Sequence, residues 1–360
     1  VIPSVKEKIH IGYFSSDFFN HATLFLMIRI FELHDNSKFK IFVYDFSKNK
    51  SDSMSNRLKN NIDVYRDITH LNDLEATQLA RSDNLDIAID LKGYTNNIRS
   101  SIFARRVAPI QLNFLGYPGS TGAKTIDYMI ADKIVIPDNY RKFYSEKIIY
   151  MPNCYQCNDN TKEICTKSIS RKQFNLPEKG FVFTCFNANK KITPNEFDIW
   201  MRLLREIQGS VLWLYQSNKY SSENLIKEAE KRNVDSNRLI FANSLPLEKH
   251  LARHTLGDLA LDTFNYNGHT TTSDALWAGL PVLTKIGESF AARVSASILN
   301  SIGLPELITY NEKEYEEKAL NLARNPDKII LLKSKLTRLR ETSPLYNSES
   351  KRVLARFGRP

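Results

Sequence analysis

The feature that most restricts the fold is an alternation of short apolar runs with helical patterns, repeated twice along the chain. Lys8–Ser15 (KIHIGYFS) reads as a buried strand, followed by a polar turn and an apolar helix from about Leu24. Phe39–Tyr44, Leu85–Leu91 (LDIAIDL) and Pro109–Phe114 (PIQLNF) read as further strands, with shorter ones at Tyr128–Ala131 and Lys147–Met151. Helical patterns fall between them at Leu74–Arg81 and Ile98–Arg106. Strands that alternate with helices predict a parallel sheet covered on both faces.

The pattern stops at Asn153–Glu178, a polar stretch, and then restarts. Strands are expected at Phe181–Phe186, Val211–Tyr215, Arg238–Phe241, Leu259–Thr263 and Pro281–Thr284. Helices are expected at Pro194–Ile207, Ser222–Arg232, Leu247–His254 and Thr270–Ala278, with Phe290–Ser301, Glu312–Arg324 and Lys328–Arg340 closing the chain. The expected organisation is an α/β fold with two doubly wound domains. They are residues 1–160 and 179–330, joined by a linker at 161–178 and followed by a helical segment at 331–360. A length of 360 residues suffices for two cores. Folds of this kind bind ligands where the carboxyl ends of strands open into a crevice, so residues just after strands matter most.

Composition narrows the function classes. With 42% hydrophobic and 25% charged residues the chain is globular, not disordered or collagen-like. No apolar run approaches the ~20 residues that cross a bilayer, so no membrane partner is expected. Lys plus Arg is 50 against 40 acidic residues, and the resulting +10 suits phosphate-bearing partners. The basic residues are dispersed and form no nucleic-acid-binding motif, so nucleic acid is not expected as a partner. Cys154, Cys157, Cys165 and Cys185 are too few for a disulfide scaffold, and the Cys154–Cys157 pair lacks the further ligands that zinc needs. They read as reduced thiols of a cytoplasmic protein, with no metal site. The chain opens at Val1 without Met, which reads as a piece of a longer protein.

The most informative segment is Leu259–Pro281, LALDTFNYNGHTTTSDALWAGLP. A strand ends at Asp262-Thr263, a loop with Gly268 follows, and a helix starts at Thr270-Thr271-Thr272. Helix starts offer unpaired N–H groups and partial positive charge to phosphate. His269 could add a donor, and Asp274, one turn in, could accept from ribose hydroxyls; alternatively Thr270 is a plain N-cap. In Phe183–Pro194 (FTCFNANKKITP), Asn187, Lys190 and Lys191 follow a strand, where a lysine can neutralise a leaving phosphate. His250 and Arg253, three apart on a helix, share a face that could meet a base. His21, after the first strand, is an acid/base candidate because imidazole titrates near neutral pH, or else a turn residue that caps the next helix. Gly116–Gly122 is a flexible loop after a strand. No GxGxxG, P-loop, HExxH, GxSxG or Asp-x-Asp motif occurs.

Four strings carry a specific resemblance: GYFSSDFFNHAT, DLKGYTNNIRSSIFARRVAPIQLNFLGYPGSTGAKTIDYMIAD, YSEKIIYMP and LALDTFNYNGHTTTSDALWAGLPVLT. They closely resemble glycosyltransferase family 41, which includes O-linked N-acetylglucosamine transferases and Spindly-type protein O-fucosyltransferases. The similarity runs from about Lys8 to Tyr346 and takes in ETSPLYN at Glu341–Asn347. The resemblance implies a GT-B fold, two Rossmann-like domains facing a cleft, and an inverting, metal-independent transfer of a sugar to protein Ser/Thr hydroxyls. The implied donor is UDP-GlcNAc, with UDP-glucose or GDP-fucose as alternatives, UDP as product and no cofactor. It also implies Asn187 and Lys191 at the nucleotide, with Lys191 on its phosphates, and His250 and Arg253 near the base. His269, Thr270 and Thr271 would take the pyrophosphate, and Asp274 the ribose. His21 would lie near the reacting centre as base, with Asp86 or a donor phosphate oxygen as the other proton acceptors. Leu115, Gly116 and Pro118 would lie near the sugar.

The sequence departs from the family pattern in Ala188, Leu247 and Asp86, and lacks the long insert of the animal enzymes, a bacterial-like trait. The repeats that often precede this catalytic region are also missing from the chain. A non-catalytic nucleotide-binding module on the same fold is the alternative function.

Overall fold

A computed structural model describes residues 7–49 and 51–347. They form two compact units: one runs to Asn160 and takes in the chain again from Pro344, and the other is Thr161–Ser343.

The first unit holds a seven-stranded sheet: β1 (Ile9–Ser15), β2 (Phe39–Asp45), β3 (Val64–Asp67), β4 (Ile87–Asp90), β5 (Ile110–Asn113), β6 (Tyr128–Ala131) and β7 (Lys147–Tyr150). Its helices are α1 (Ala22–Glu32), α2 (Ser53–Lys59), α3 (Asp73–Ser82) and α4 (Ser100–Ala104). The strand order is β3-β2-β1-β4-β5-β6-β7, and every paired strand is parallel. β1, β2 and β4 are buried along most of their length, as strands covered on both faces must be. Sequence periodicity missed α2 and β3. SMSNRLK has a single apolar stripe of Met54 and Leu58, and VYRD is a half-exposed edge strand.

The second unit restarts the same plan with β8 (Val182–Cys185), α5 (Pro194–Glu206), β9 (Val211–Tyr215), α6 (Lys219–Glu230), β10 (Leu239–Ala242) and α7 (Leu247–His254). It continues with β11 (Leu259–Leu261), α8 (Thr270–Trp277), β12 (Val282–Lys285), α9 (Val294–Ile302), β13 (Ile308–Thr309), α10 (Glu312–Arg324) and α11 (Pro326–Thr342). The order β10-β9-β8-β11-β12-β13 reverses direction between β8 and β11, the switch point at which doubly wound folds bind ligands. In the first sheet the corresponding point lies between β1 and β4.

Two boundaries differ from expectation. Residues 161–178 pack inside the second unit instead of bridging two domains. Arg171 Nη2 pairs with Asp258 at 2.9 Å, and the Phe174 ring centroid lies 5.2 Å from that of Trp213. The closing helix α11 belongs to the second unit, and the chain then returns to the first, where Leu345 and Tyr346 are buried and Asn158 Nδ2 donates to Leu345 O. Of the expected 331–360 segment, residues 348–360 lie outside the described residues.

Trp213 is fully buried beneath Phe174, Phe186 and the Arg253 guanidinium. Replacing it by Ala empties the middle of that cluster and should cost about 3–5 kcal/mol of stability, read as a lowered denaturation midpoint.

Candidate active site

In the second unit the site grows from the carboxyl ends of β8 and β11, which are neighbours in the sheet. Asn187 stands two residues past β8, and Asp262 follows β11 directly. Asn187 Nδ2 donates to Asp262 Oδ1 at 3.0 Å and to Thr263 Oγ1 at 2.9 Å. Its Oδ1 accepts from the Thr271 hydroxyl in the first turn of α8. One amide thus ties two strand ends to a helix start, so Asn187 is a scaffold as well as a nucleotide candidate.

The loop between Asp262 and α8 is held rigid. Gly268 N donates to Asp262 Oδ1 at 2.7 Å, Asn267 Nδ2 to Thr263 O at 2.8 Å, and Thr263 Oγ1 to Tyr266 O at 2.6 Å. A Cβ at Gly268 would sit 2.5 Å from Thr272 Oγ1 and 2.6 Å from Thr271 Oγ1, so only glycine lets the loop pass this close to the threonines. His269 occupies the N-cap position of α8 but makes no side-chain cap bond. Thr272 Oγ1 pairs with Ser295 Oγ at 2.8 Å. Among the described residues the Thr270 hydroxyl has no hydrogen bond, so the helix start presents that hydroxyl and its first N–H groups without a side-chain cap.

Lys191 comes to this loop from the turn after β8. Its Nζ donates to Asn267 O at 2.9 Å and lies 4.2 Å from the Tyr266 ring centroid. Burial pulls its pKa down to about 8, against the opposing pull of Asp262. The His269 imidazole stacks on Tyr266 at 4.8 Å, and burial, with Lys191 adding to it, pushes its pKa down to about 3. The positive charge at the loop is therefore the lysine's, and His269 is a neutral hydrogen-bonding ring. Lys190, its neighbour, is exposed.

On α7 the expected His250/Arg253 pair separates. Arg253 is 1% exposed, with its guanidinium 4.7 Å from the Phe186 ring centroid and Nη1 donating to Asn243 O at 2.6 Å. It is a core cation that closes a loop carbonyl, so its side chain does not present itself to a base. His250 Nε2 lies 3.3 Å from His254 Nε2, and burial first, then Arg253, pulls its pKa down to about 4. His250 keeps a neutral ring. Asp274, on α8, is an ion-pair partner already: Lys162 Nζ lies 2.6 Å from Oδ1.

In the first unit His21 follows β1 as the N-cap of α1, where Nδ1 accepts from Thr23 N at 3.2 Å. Burial lowers its pKa, Asp17 opposes that and Lys92 adds to it. A neutral ring accepting at Nδ1 carries its proton on Nε2. Asp17 Oδ2 stands 3.7 Å from Nδ1 and is itself bound by the buried Lys92 at 2.6 Å. Asp86, expected as an alternative proton acceptor to His21, lies instead at the opposite, amino-terminal end of β4, where Oδ2 accepts from His10 N at 2.8 Å. Past β5, Gly116 N donates to Phe114 O across Leu115, which has φ +69°, and a Cβ on Gly116 would lie 2.0 Å from Leu91 O. This turn stores backbone strain of about 1–3 kcal/mol next to Pro118.

Sequence reasoning missed Asp262, Lys162 and the Asp17–Lys92 pair. A lone Asp after a strand has no spacing signal, although its position in the LDTF string pointed to the right strand end. Among the described residues no cluster of three or more His, Cys, Asp or Glu is placed to hold a metal ion, and no helix is long and apolar enough to cross a membrane.

This geometry has known relatives. A probable UDP-N-acetylglucosamine–peptide N-acetylglucosaminyltransferase SEC from Arabidopsis thaliana is 34% identical over 95% of the chain and 36% of its own length. A UDP-N-acetylglucosamine–peptide N-acetylglucosaminyltransferase from Caenorhabditis elegans is 28% identical over 95% of the chain and 39% of its own. The chain thus spans well under half the length of these relatives. Among solved structures, a mutant O-GlcNAc transferase of Thermobaculum terrenum superposes with a TM-score of 0.90 at 29% identity, covering 99% of this chain and 68% of that one. Anabaena HepE, solved with UDP and glucose, shares the fold alone, at TM-score 0.65 and 12% identity over 97% of this chain and 98% of its own. The fold is GT-B, two Rossmann-like units. The family model for glycosyl transferase family 41 matches residues 2–169 and 157–353, and the chain belongs to that family.

Proposed function

We propose that the chain is the catalytic region of a protein O-glycosyltransferase that moves a sugar from a nucleoside diphosphate donor to Ser or Thr hydroxyls. The observation that carries this is the Lys191 ammonium docked on the loop that leads into the uncapped start of α8. A cation, amide N–H groups and a threonine hydroxyl on one rigid loop suit a diphosphate. The names of the relatives support UDP-GlcNAc as donor and a peptide as acceptor. Four cysteines in 360 residues, too few for a disulfide scaffold, support a reducing, cytoplasmic setting.

The acceptor hydroxyl attacks the anomeric carbon as the bond to the diphosphate breaks, and configuration inverts. Negative charge grows on the departing phosphate. Lys191, Thr270, Thr271 and the α8 start stabilise that charge, the part a divalent cation plays elsewhere. His269 adds a neutral contact to the pyrophosphate, His250 lies at the base, and the Leu115–Pro118 turn shapes the sugar site. His21 Nε2 takes the hydroxyl proton in the tautomer whose Nδ1–H faces Asp17, which requires release of the Thr23 N–H.

Mass spectrometry of protein products after supplying UDP-GlcNAc, UDP-glucose or GDP-fucose tests the proposal. A sugar added to Ser or Thr, with UDP-GlcNAc preferred, is expected. Binding of UDP without any donor cleavage would instead make the chain a regulatory module.

Lys191→Ala should lower kcat on the order of 10²-fold or more, the cost of losing one preorganised donor to a developing charge. Because Lys191 loses its proton near pH 8, UDP binds best below that pH, and its affinity falls as pH rises, by up to about tenfold per unit. Titration calorimetry should show this fall in the wild type and its absence in Lys191→Ala. Asp86→Asn, at the amino-terminal end of β4 and so away from the strand end that carries His21, should leave kcat within about threefold of wild type.

A further inference from the structure

The Lys162–Asp274 pair is buried on both sides, with side chains 2% and 8% exposed and Nζ 2.6 Å from Oδ1. Burying two charges in this way returns little net stability, since packed apolar residues of similar volume commonly do as well. Lys162 is also fastened from several directions. The Trp277 indole donates through Nε1 to the Lys162 carbonyl at 3.2 Å, and the ammonium lies 5.8 Å from the Trp277 ring centroid. Three residues on, Cys165 N donates to Glu248 O at 3.0 Å in the first turn of α7. Asp274 and Trp277 are three apart and share a face of α8, so residues 162–165 form a strap fixed to both nucleotide-site helices. Among the described residues nothing donates to Asp274 Oδ2.

We propose that Lys162 is a positioning residue for ribose recognition: it fixes the Asp274 carboxylate through Oδ1 and leaves Oδ2 as the acceptor for the ribose hydroxyls. The inference rests on the nucleotide site proposed above and adds to it the residue that makes its carboxylate selective. A carboxylate free to rotate would lose conformational entropy on each binding event, whereas one held by an ammonium is already placed. The ammonium also offsets part of the cost of burying the carboxylate, and a charged acceptor makes the stronger hydrogen bond. Lys162 acts through Asp274 and touches no reacting atom.

The readout is discrimination between UDP and 2′,3′-dideoxyuridine diphosphate, measured as the ratio of their dissociation constants. Wild type should favour UDP by about 10- to 100-fold, the range for hydrogen bonds to a charged group. In Lys162→Met the ratio should fall at least about fivefold while affinity for the dideoxy nucleotide changes little. If Lys162→Met does not fold with its carboxylate unpaired, Lys162→Gln is read in its place, with a fall of at least about threefold expected for lost charge. Equal weakening of both nucleotides, with the ratio unchanged, would overturn the proposal and leave Lys162 a strut. A wild type that binds neither nucleotide would fail the nucleotide site itself, a different result from failure of the strap.

Discussion

The second unit is organised around one buried carboxylate. Asp262 Oδ1 accepts from Asn187 Nδ2, Thr263 N and Gly268 N, and Oδ2 accepts from Thr284 Oγ1. Those donors come from the end of β8, the end of β11, the loop before α8 and β12. Burial alone pushes its pKa up, and the donors pull it back part of the way. A buried charge is tolerable only with such partners, so the loop that meets the diphosphate cannot shift without uncovering Asp262. Lys191 then finds its carbonyl, and the threonines their places, on a surface already built.

Electrostatically this seat relies on a lysine and a helix start. Burial drives His250, His254 and His269 below their ordinary pKa, so three of the imidazoles closest to the site stay neutral. Neutral rings offer shape and directed hydrogen bonds without adding charge. The cation that does change charge near working pH is Lys191, which makes diphosphate binding itself sensitive to alkaline pH. The first unit applies the same economy. Lys92 satisfies Asp17 behind His21, and the imidazole is left neutral at the start of α1.

What the sequence made legible was the architecture and the strand ends. Apolar runs such as LDIAIDL and VLWLY are buried strands because both faces of their sheets are covered. The same reading placed Asn187, Lys191 and Thr270–Thr271 after the right strands. What stayed hidden depended on side-chain direction. A helical spacing of three put His250 and Arg253 on one face, yet the long Arg253 side chain folds under Phe186 to reach a carbonyl. Lys162 lay in polar sequence without periodicity and read as linker, although it is among the most buried lysines. Its partner was named for ribose without any sign that a cation was already there.

The seat for the diphosphate is the junction of β8, β11 and α8. A crystal structure with bound UDP tests it most directly. β-Phosphate oxygens should lie within about 2.7–3.2 Å of Lys191 Nζ, of the Thr270 hydroxyl and of the Thr270 and Thr271 amides. Phosphates bound elsewhere, with Lys191 still seated on the Asn267 carbonyl, would contradict it.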